Sequence, residues 1–214
     1  MATSVVMKAV LTMAVLALFS GRATAETMPP DQLMLSTTNQ MVDAIKNDKD
    51  IQSGNLEKLS AIVKEIVLPH IDLDRMSHSI LGKYWEDASG SQREAFKIEF
   101  ATFISYLYST QLPDYHDQTV KFELPQGNAD SMDVVLTMLI LQSGNLPEKA
   151  YFSLGKVGDE WKIYDINTEG VSFMSLYRGQ FLPLAKQSGM DALIQKLAEK
   201  NKRTPSAVVA TKQK

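Results

Sequence analysis

One stretch, residues 161–181, constrains the fold of this chain more than any other. Residues 161–166 are rich in aromatic and β-branched side chains, which favour a half-buried strand. Gly170 can adopt a positive φ at little cost and so permits a sharp change of direction. Ser172 is a candidate helix N-cap, because apolar residues recur at helical spacing behind it. We therefore predict a strand, a tight turn and a helix that pack together as a corner and enclose apolar volume.

The first 25 residues have the composition of a secretory signal peptide. Lys8 precedes an apolar run over residues 9–19, and small residues at 23–25 form a cleavage site. The apolar run is well short of the roughly twenty residues that span a bilayer. We expect residues 1–25 to be removed, and the mature chain to be soluble and exported.

Composition disfavours several functional classes. The chain has no cysteine, so neither a disulfide framework nor thiolate chemistry is available. Of 22 lysines and arginines, 20 remain after loss of Lys8 and Arg22, against 25 acidic residues, which gives a net charge of −5. Such a chain is a poor candidate for binding nucleic acid or for electrostatic adhesion to anionic lipid. We expect one domain over residues 26–203 and a disordered, basic tail over residues 204–214.

The order of the predicted elements indicates an α+β fold. Amphipathic helices are expected from Asp31, from Asn55 and after Asp72 or Asp74. The longest helix follows a capping box formed by Ser89 and Gln92. Four strand-like runs linked by short turns come next, at residues 120–124, 132–141, 150–156 and 161–166. Turns this short predict an antiparallel meander, because parallel strands need longer crossovers. Two helices close the chain.

The helix that begins after Ser172 contains Pro183, which leaves two alternatives open. Proline removes a backbone hydrogen bond and kinks the axis, so one helix could wrap a cavity. Alternatively, the helix ends near Phe181 and a new one begins. Gly189 is expected to separate a last helix from this one.

The sequence carries no recognisable catalytic or metal-binding pattern. His70, His78 and His116 lack the i, i+4 spacing of a zinc-binding helix. No nucleophile elbow and no phosphate-binding glycine loop is present. We therefore expect no metal, no cofactor and no enzymatic activity.

One carboxylate pair, Asp165 and Glu169, lies close to the aromatic strand and could in principle perform acid–base chemistry. The interpretation that we favour is structural. In that interpretation Asp165 fixes the turn, and Glu169 faces solvent or pairs with Arg178.

Apolar side chains are more abundant than the fold obviously needs. A wide aromatic stripe follows the longest helix, and the strand at 132–141 is apolar on both faces, so it must be covered twice. We predict that the stripe faces this strand and that the helix and the sheet together line a ligand cavity. An ordinary core would also explain this surplus, and these patterns alone do not name a ligand.

Two signatures together resemble a known family. The first reads VLPHID at residues 67–72 and LGKYW at residues 81–85, followed by Ser89, Gln92 and Phe96. The second is the corner itself, WKIYD at residues 161–165 continuing through EGVS at residues 169–172. Both resemble the MlaC family of periplasmic phospholipid-binding proteins, over about residues 31–201. His70 departs from the pattern, since an aromatic residue often follows the proline there.

The resemblance implies a four-stranded antiparallel sheet wrapped by helices around an apolar cavity, as in nuclear-transport-factor-like folds. It implies a periplasmic carrier that holds phospholipid acyl chains and shuttles lipid between two complexes. These are an outer-membrane lipoprotein–porin complex and an inner-membrane ABC transporter with a substrate-binding ring. We expect a monomer. Two alternatives stay open: a small-molecule enzyme of the same cone-shaped fold that uses Asp165 or Glu169, and a binding protein for another hydrophobic solute.

We assign lipid contact to the long helix, the sheet and the corner, with Val171 at the turn bordering the cavity. The assigned residues are Phe96, Phe100, Phe103, Ile104, Leu107, Tyr108, Val134, Leu136, Met138, Phe152, Trp161, Tyr164, Val171, Met174, Tyr177 and Phe181.

Overall fold

The structure, a computed structural model, describes residues 28–111, 119–123, 131–141 and 146–211. For residues 111 and 203–211 it describes the backbone alone. The predicted signal peptide (residues 1–25) and His116 lie outside the described residues.

The described residues begin with helices, one of which starts at its predicted cap. These helices are α1 (Pro30–Asn47), α2 (Lys49–Gln52) and α3 (Leu56–Ile66), followed by a 3-10 turn over Leu68–His70. Asn55 caps α3, because its side chain accepts a hydrogen bond from the Lys58 N–H. α3 ends at Ile66, and Pro69 lies three residues further on, within the 3-10 turn.

The next helices carry the first signature. They are α4 (Leu73–Leu81), α5 (Lys83–Glu86) and α6 (Gly90–Gln111). Asp72 caps α4 through the Arg75 N–H at 2.9 Å. The capping box is confirmed at α6: the Gln92 N–H donates to Ser89 Oγ at 3.2 Å, and the Ser89 N–H donates to Gln92 Oε1 at 3.0 Å.

The described strands form one antiparallel sheet in the order β1-β2-β3-β4-β5. Their bounds are Thr119–Glu123, Asp133–Leu141, Glu148–Val157, Glu160–Thr168 and Val171–Ser172. The predicted meander is confirmed, but the predicted count of four strands misses β5. Glu169 (φ 54°) and Gly170 (φ 80°) turn so tightly that Val171 and Ser172 pair back onto β4 before the next helix begins.

The last helix, α7 (Phe173–Thr211), continues through Pro183 instead of ending near Phe181. Its helical backbone is interrupted at Gly189 (φ 79°, ψ 172°), the residue expected to separate two helices. These bounds include the backbone of residues 204–211 from the predicted tail, and residues 212–214 of that tail lie outside the described residues.

The apolar interior of the described residues divides into a helical cluster, a sheet cluster and a smaller third cluster formed by α1, α2 and α3. The helical cluster is built from α4, α5, α6 and α7, around Ile80, Phe100 and Phe181. The sheet cluster is built from β2, β3 and β4 with Met34 of α1. Ile71, between the 3-10 turn and α4, packs against both clusters.

Candidate functional site

The corner is held by Asp165, whose two carboxylate oxygens accept three hydrogen bonds. Oδ1 accepts from the N–H groups of Ile166 (2.8 Å) and Met174 (3.1 Å), and Oδ2 accepts from Ser172 Oγ at 2.6 Å. Ser172 Oγ in turn accepts from the Ser175 N–H, as an N-cap does. Asp165 therefore joins the end of β4 to the first turn of α7, where a negative charge is also favoured by the helix dipole.

This geometry matches the structural interpretation of the carboxylate pair. Glu169 is exposed in the turn, and Arg178 does not pair with it. Instead Arg178 Nη1 donates to the Ser79 carbonyl at 2.6 Å, near the end of α4. Because Asp165 is engaged as a cap and Glu169 faces solvent, the corner offers no assembled acid–base pair.

Five aromatic rings pack against one another between α6 and α7. Phe103 and Tyr177 have centroids 5.0 Å apart, Phe100 and Phe181 are 6.2 Å apart, and Phe96 lies 6.3 Å from Phe181. All five are buried, and burial raises the pKa of the Tyr177 hydroxyl. We had expected this α6 stripe to face the sheet. It contacts α7 instead, because α6 packs mainly against α3 and α7.

The second apolar surface is one face of the sheet. The register pairs Leu136 with Phe152, and Leu154 with Ile163, so these side chains share a face. Met34 of α1 covers part of it. The opposite face is less covered by the described residues, since Val135 is 44 % exposed.

The predicted site residues therefore divide between layers. Nine belong to the helical cluster: Phe96, Phe100, Phe103, Ile104, Leu107, Tyr164, Met174, Tyr177 and Phe181. Five belong to the sheet cluster: Val134, Leu136, Met138, Phe152 and Trp161. Tyr108 packs against a third cluster formed by α1, α2 and α3, and Val171 is 54 % exposed on β5.

Sequence reasoning missed the residue that bridges the two layers. Ile71 forms an isolated parallel bridge with Ile163, and the Asp72 N–H donates to the Ile163 carbonyl at 2.8 Å. The only sequence feature that includes Ile71 is the VLPHID motif at residues 67–72. This motif shows neither helical nor strand periodicity, so it does not predict the contact.

A clamp also ties α4 to the sheet. Arg75 Nη1 lies 2.6 Å from Asp133 Oδ1, and the Arg75 guanidinium lies 3.4 Å from the centroid of the Tyr164 ring. Gly155 leaves the space for this arrangement. A Cβ at Gly155 would come within 2.5 Å of Arg75 Nη1 and 2.9 Å of Asp133 Oδ1.

An open groove of about 430 Å³ lies between α4, α6 and the β3–β4 hairpin. It is lined by Ile71, Leu73, Ile98, Val157 and several charged side chains. None of the sixteen predicted site residues lines it. We therefore do not identify this groove with the candidate lipid site.

The described residues hold no group of three or more histidine or acidic side chains that could bind a metal. His78 is instead 3.0 Å from Glu86, and burial is the main cause that lowers the pKa of His70. Within the described part of the chain, no helix is long and apolar enough to cross a bilayer.

The fold and the site together define a class of protein. It is an α+β protein whose apolar side chains form separate helical and sheet clusters, with a capped turn between β4 and α7. Residues 35–199 match the family described as MlaC protein. The chain belongs to the MlaC family.

Relatives of known name agree with this assignment. The intermembrane phospholipid transport system binding protein MlaC of Haemophilus influenzae is 28 % identical over 180 residues, covering 83 % of this chain and 84 % of the relative. Toluene tolerance protein ttg2D of Pseudomonas putida is 23 % identical over 169 residues, or 78 % of each chain.

A solved structure is also similar. It is a phospholipid-binding protein from Ralstonia solanacearum in complex with a phospholipid, with a TM-score of 0.74 and 27 % identity. The match covers 82 % of this chain and 98 % of that one.

Proposed function

We propose that this protein is a periplasmic phospholipid carrier that holds acyl chains between its helical and sheet clusters. The observation that carries the proposal is the similarity, over 82 % of this chain, to a structure solved with phospholipid bound. The apolar interior supports it, because acyl chains need an apolar lining and little specific polar contact.

The energetics suit a carrier without catalytic groups. Two acyl chains contain roughly thirty methylenes at about 0.8 kcal/mol each, so about 24 kcal/mol opposes free passage through water. An apolar cavity comparable to the bilayer makes handover at either end nearly isoenergetic. Direction must then come from partners, which we propose are an outer-membrane lipoprotein–porin complex and an inner-membrane ABC transporter with a substrate-binding ring.

The burial of individual residues suggests where the chains lie. Phe96 and Phe100 are fully buried among other rings, so they offer no free surface while the helices stay packed. Val134 and Met138 on the sheet, and Tyr164 at its junction with α4, are only partly buried. We place the acyl chains against these partly buried residues.

The proposal includes the organisation of the chain. Residues 1–25 act as the signal peptide, and residues 26–203 form the phospholipid-binding domain, with a nuclear-transport-factor-like fold and a monomeric state. Export to the periplasm follows from the signal peptide.

Extraction of the freshly purified protein with chloroform–methanol, followed by mass spectrometry, tests the function. We expect diacyl phospholipid in a near-stoichiometric amount. A mock purification without the protein serves as the blank. If the extract contains another apolar compound instead, the protein carries a different hydrophobic cargo. If the extract contains no bound compound, the carrier proposal is contradicted.

The same measurement locates the site. Met138→Glu places a carboxylate on the partly buried sheet face, which is costly next to acyl chains. We expect it to lower bound lipid at least fivefold. The matched control is Ile98→Glu, which alters a side chain that is 64 % exposed in the open groove and should keep its lipid. Equal lipid in both variants would move the site away from the sheet.

A further inference from the structure

The open groove between α4, α6 and the β3–β4 hairpin leaves apolar side chains in contact with water. Ile98 and Val157 line it and are 64 % and 50 % exposed, beside the better buried Ile71, Leu73 and Ala101. An enclosed pocket for a small molecule would bury such side chains. An exposed apolar patch with a polar rim instead marks a surface that a larger partner covers.

The charged side chains on the helical side of the groove hold their acids outward. Lys97 Nζ lies 2.7 Å from Glu94 Oε1 and 3.2 Å from Asp74 Oδ1. The Lys97 side chain is only 19 % exposed, whereas those of Asp74 and Glu94 are 69 % and 67 % exposed. A hydrogen bond with Glu94 is the main cause that raises the pKa of Lys97, so the ion pair is charged at neutral pH. A partner therefore meets the carboxylates before the ammonium group.

The sheet side of the groove repeats this arrangement at Lys162. Its Nζ donates to the Pro69 carbonyl at 2.7 Å and lies 2.5 Å from Glu160 Oε2. Lys162 is again the less exposed partner, at 20 % against 71 % for the Glu160 side chain. The hydrogen bond from Lys162 lowers the pKa of Glu160, so this pair is also charged at neutral pH.

The rim of the groove is therefore acidic. Among the described residues in and beside it, four carboxylates and two ammonium groups give a net charge of −2. The carboxylates are those of Asp72, Asp74, Glu94 and Glu160, and the ammonium groups are those of Lys97 and Lys162. Such a rim repels the phosphates of anionic lipid and attracts the cations of a protein segment.

We propose that the open groove docks a segment of a partner protein that presents apolar side chains between lysines or arginines. The apolar side chains of that segment cover Ile98 and Val157, and its cations lie against the exposed carboxylates of Asp74 and Glu94. The described lining contains none of the residues assigned to the cargo, so docking and cargo do not compete for the same side chains. The inference therefore does not rest on the carrier proposal.

Fluorescence anisotropy with a labelled synthetic peptide tests the apolar part of the proposal. The probe is the peptide KLLKKLLKKLLK, whose leucines form one face of a helix flanked by lysines. Ile98→Ser with Val157→Ser should weaken its binding at least about tenfold, because the apolar lining is lost at unchanged charge. The matched control is Leu35→Ser with Val42→Ser, two exposed apolar side chains of α1, and should bind as the unaltered protein does. A probe with serine in place of leucine should bind at least about tenfold more weakly.

A second pair of variants tests the rim. Asp74→Asn with Glu94→Gln should weaken binding on the order of fivefold and reduce its dependence on salt. Asp43→Asn with Glu65→Gln gives the same net charge by neutralising exposed acids elsewhere, and should leave the affinity unchanged.

Equal affinity of the groove variants and their controls, or equal binding of the leucine and serine peptides, would overturn the proposal. Binding to phosphatidylglycerol vesicles that depends on Ile98 and Val157, without peptide binding, would also overturn it and assign the groove to a membrane surface. If the double serine variant loses its folded circular dichroism spectrum, Ile98→Ser alone decides the outcome. Bound phospholipid, measured in parallel, should be unchanged in every variant, so failure of this test leaves the carrier proposal standing.

Discussion

At the scale of single residues, the junction between α4 and the sheet depends on Gly155, which has no side chain. The Arg75 and Asp133 side chains are 41 % and 51 % exposed, so their ion pair alone contributes little. The contact of the guanidinium with Tyr164 adds to it, and Gly155 makes both possible by leaving their space open. Sequence patterns do not predict this arrangement, because a glycine inside a strand also fits a bulge or a weak strand.

We predict that Gly155→Ala lowers the free energy of unfolding by about 1–2 kcal/mol, since the added Cβ displaces Arg75 from Asp133 and Tyr164. Urea unfolding followed by circular dichroism measures it. In an Arg75→Ala background the cost of the same change should fall by half or more, because the nearest clashing atom is gone. An unchanged cost in that background would show that the strand itself, not the clamp, requires glycine.

At the scale of elements, α7 contains two glycines in opposite conformations. Gly179 lies within the helix, and a Cβ there would meet nothing within 4 Å. Gly189 has a φ of 79° at the break between the two helical parts, again with open space around it. Space is therefore equal at the two positions, and only the backbone differs.

Alanine should have opposite effects at these positions. Gly179→Ala should stabilise by about 0.5–1 kcal/mol, because alanine loses less backbone entropy in a helix. Gly189→Ala should destabilise by about 1–2 kcal/mol, because a left-handed φ is strained for any residue with a Cβ. Thermal unfolding of both variants checks the signs, and stabilisation by both would mean that α7 becomes one continuous helix.

Elements were predicted well because their signals are local. The capping box of Ser89 and Gln92, the meander and the break at Gly189 each follow from residues close together in sequence. The strand β5 was missed because two residues show no period. The partner of the α6 stripe was also missed, since helical spacing shows that Phe100 is buried without showing whether helix or sheet covers it.

At the scale of the whole molecule, we assign the stability of the fold mainly to the helical cluster and contact with the ligand mainly to the sheet cluster. The helical cluster contains the fully buried rings and can be dense without any ligand. The sheet cluster, together with Tyr164 of the helical cluster, keeps partly buried residues that a ligand can cover. A substitution at Val171 can test this assignment, because Val171 belongs to neither cluster. It is 54 % exposed on β5 and pairs with Thr168 of β4.

We predict that Val171→Glu lowers co-purifying phospholipid several-fold while the far-ultraviolet circular dichroism spectrum persists. The carboxylate reaches solvent in the empty protein, so folding costs little, but acyl chains at the cavity mouth would desolvate it. The melting temperature should fall with the lost lipid, because a ligand that binds only the folded state adds RT ln(1 + [L]/Kd) to stability. Leu176→Glu, at a side chain 47 % exposed on α7, is the matched control and should keep its lipid. If Val171→Glu keeps its lipid too, the turn does not border the cavity. Loss of the folded spectrum would instead show that Val171 is needed to pair β5 with β4.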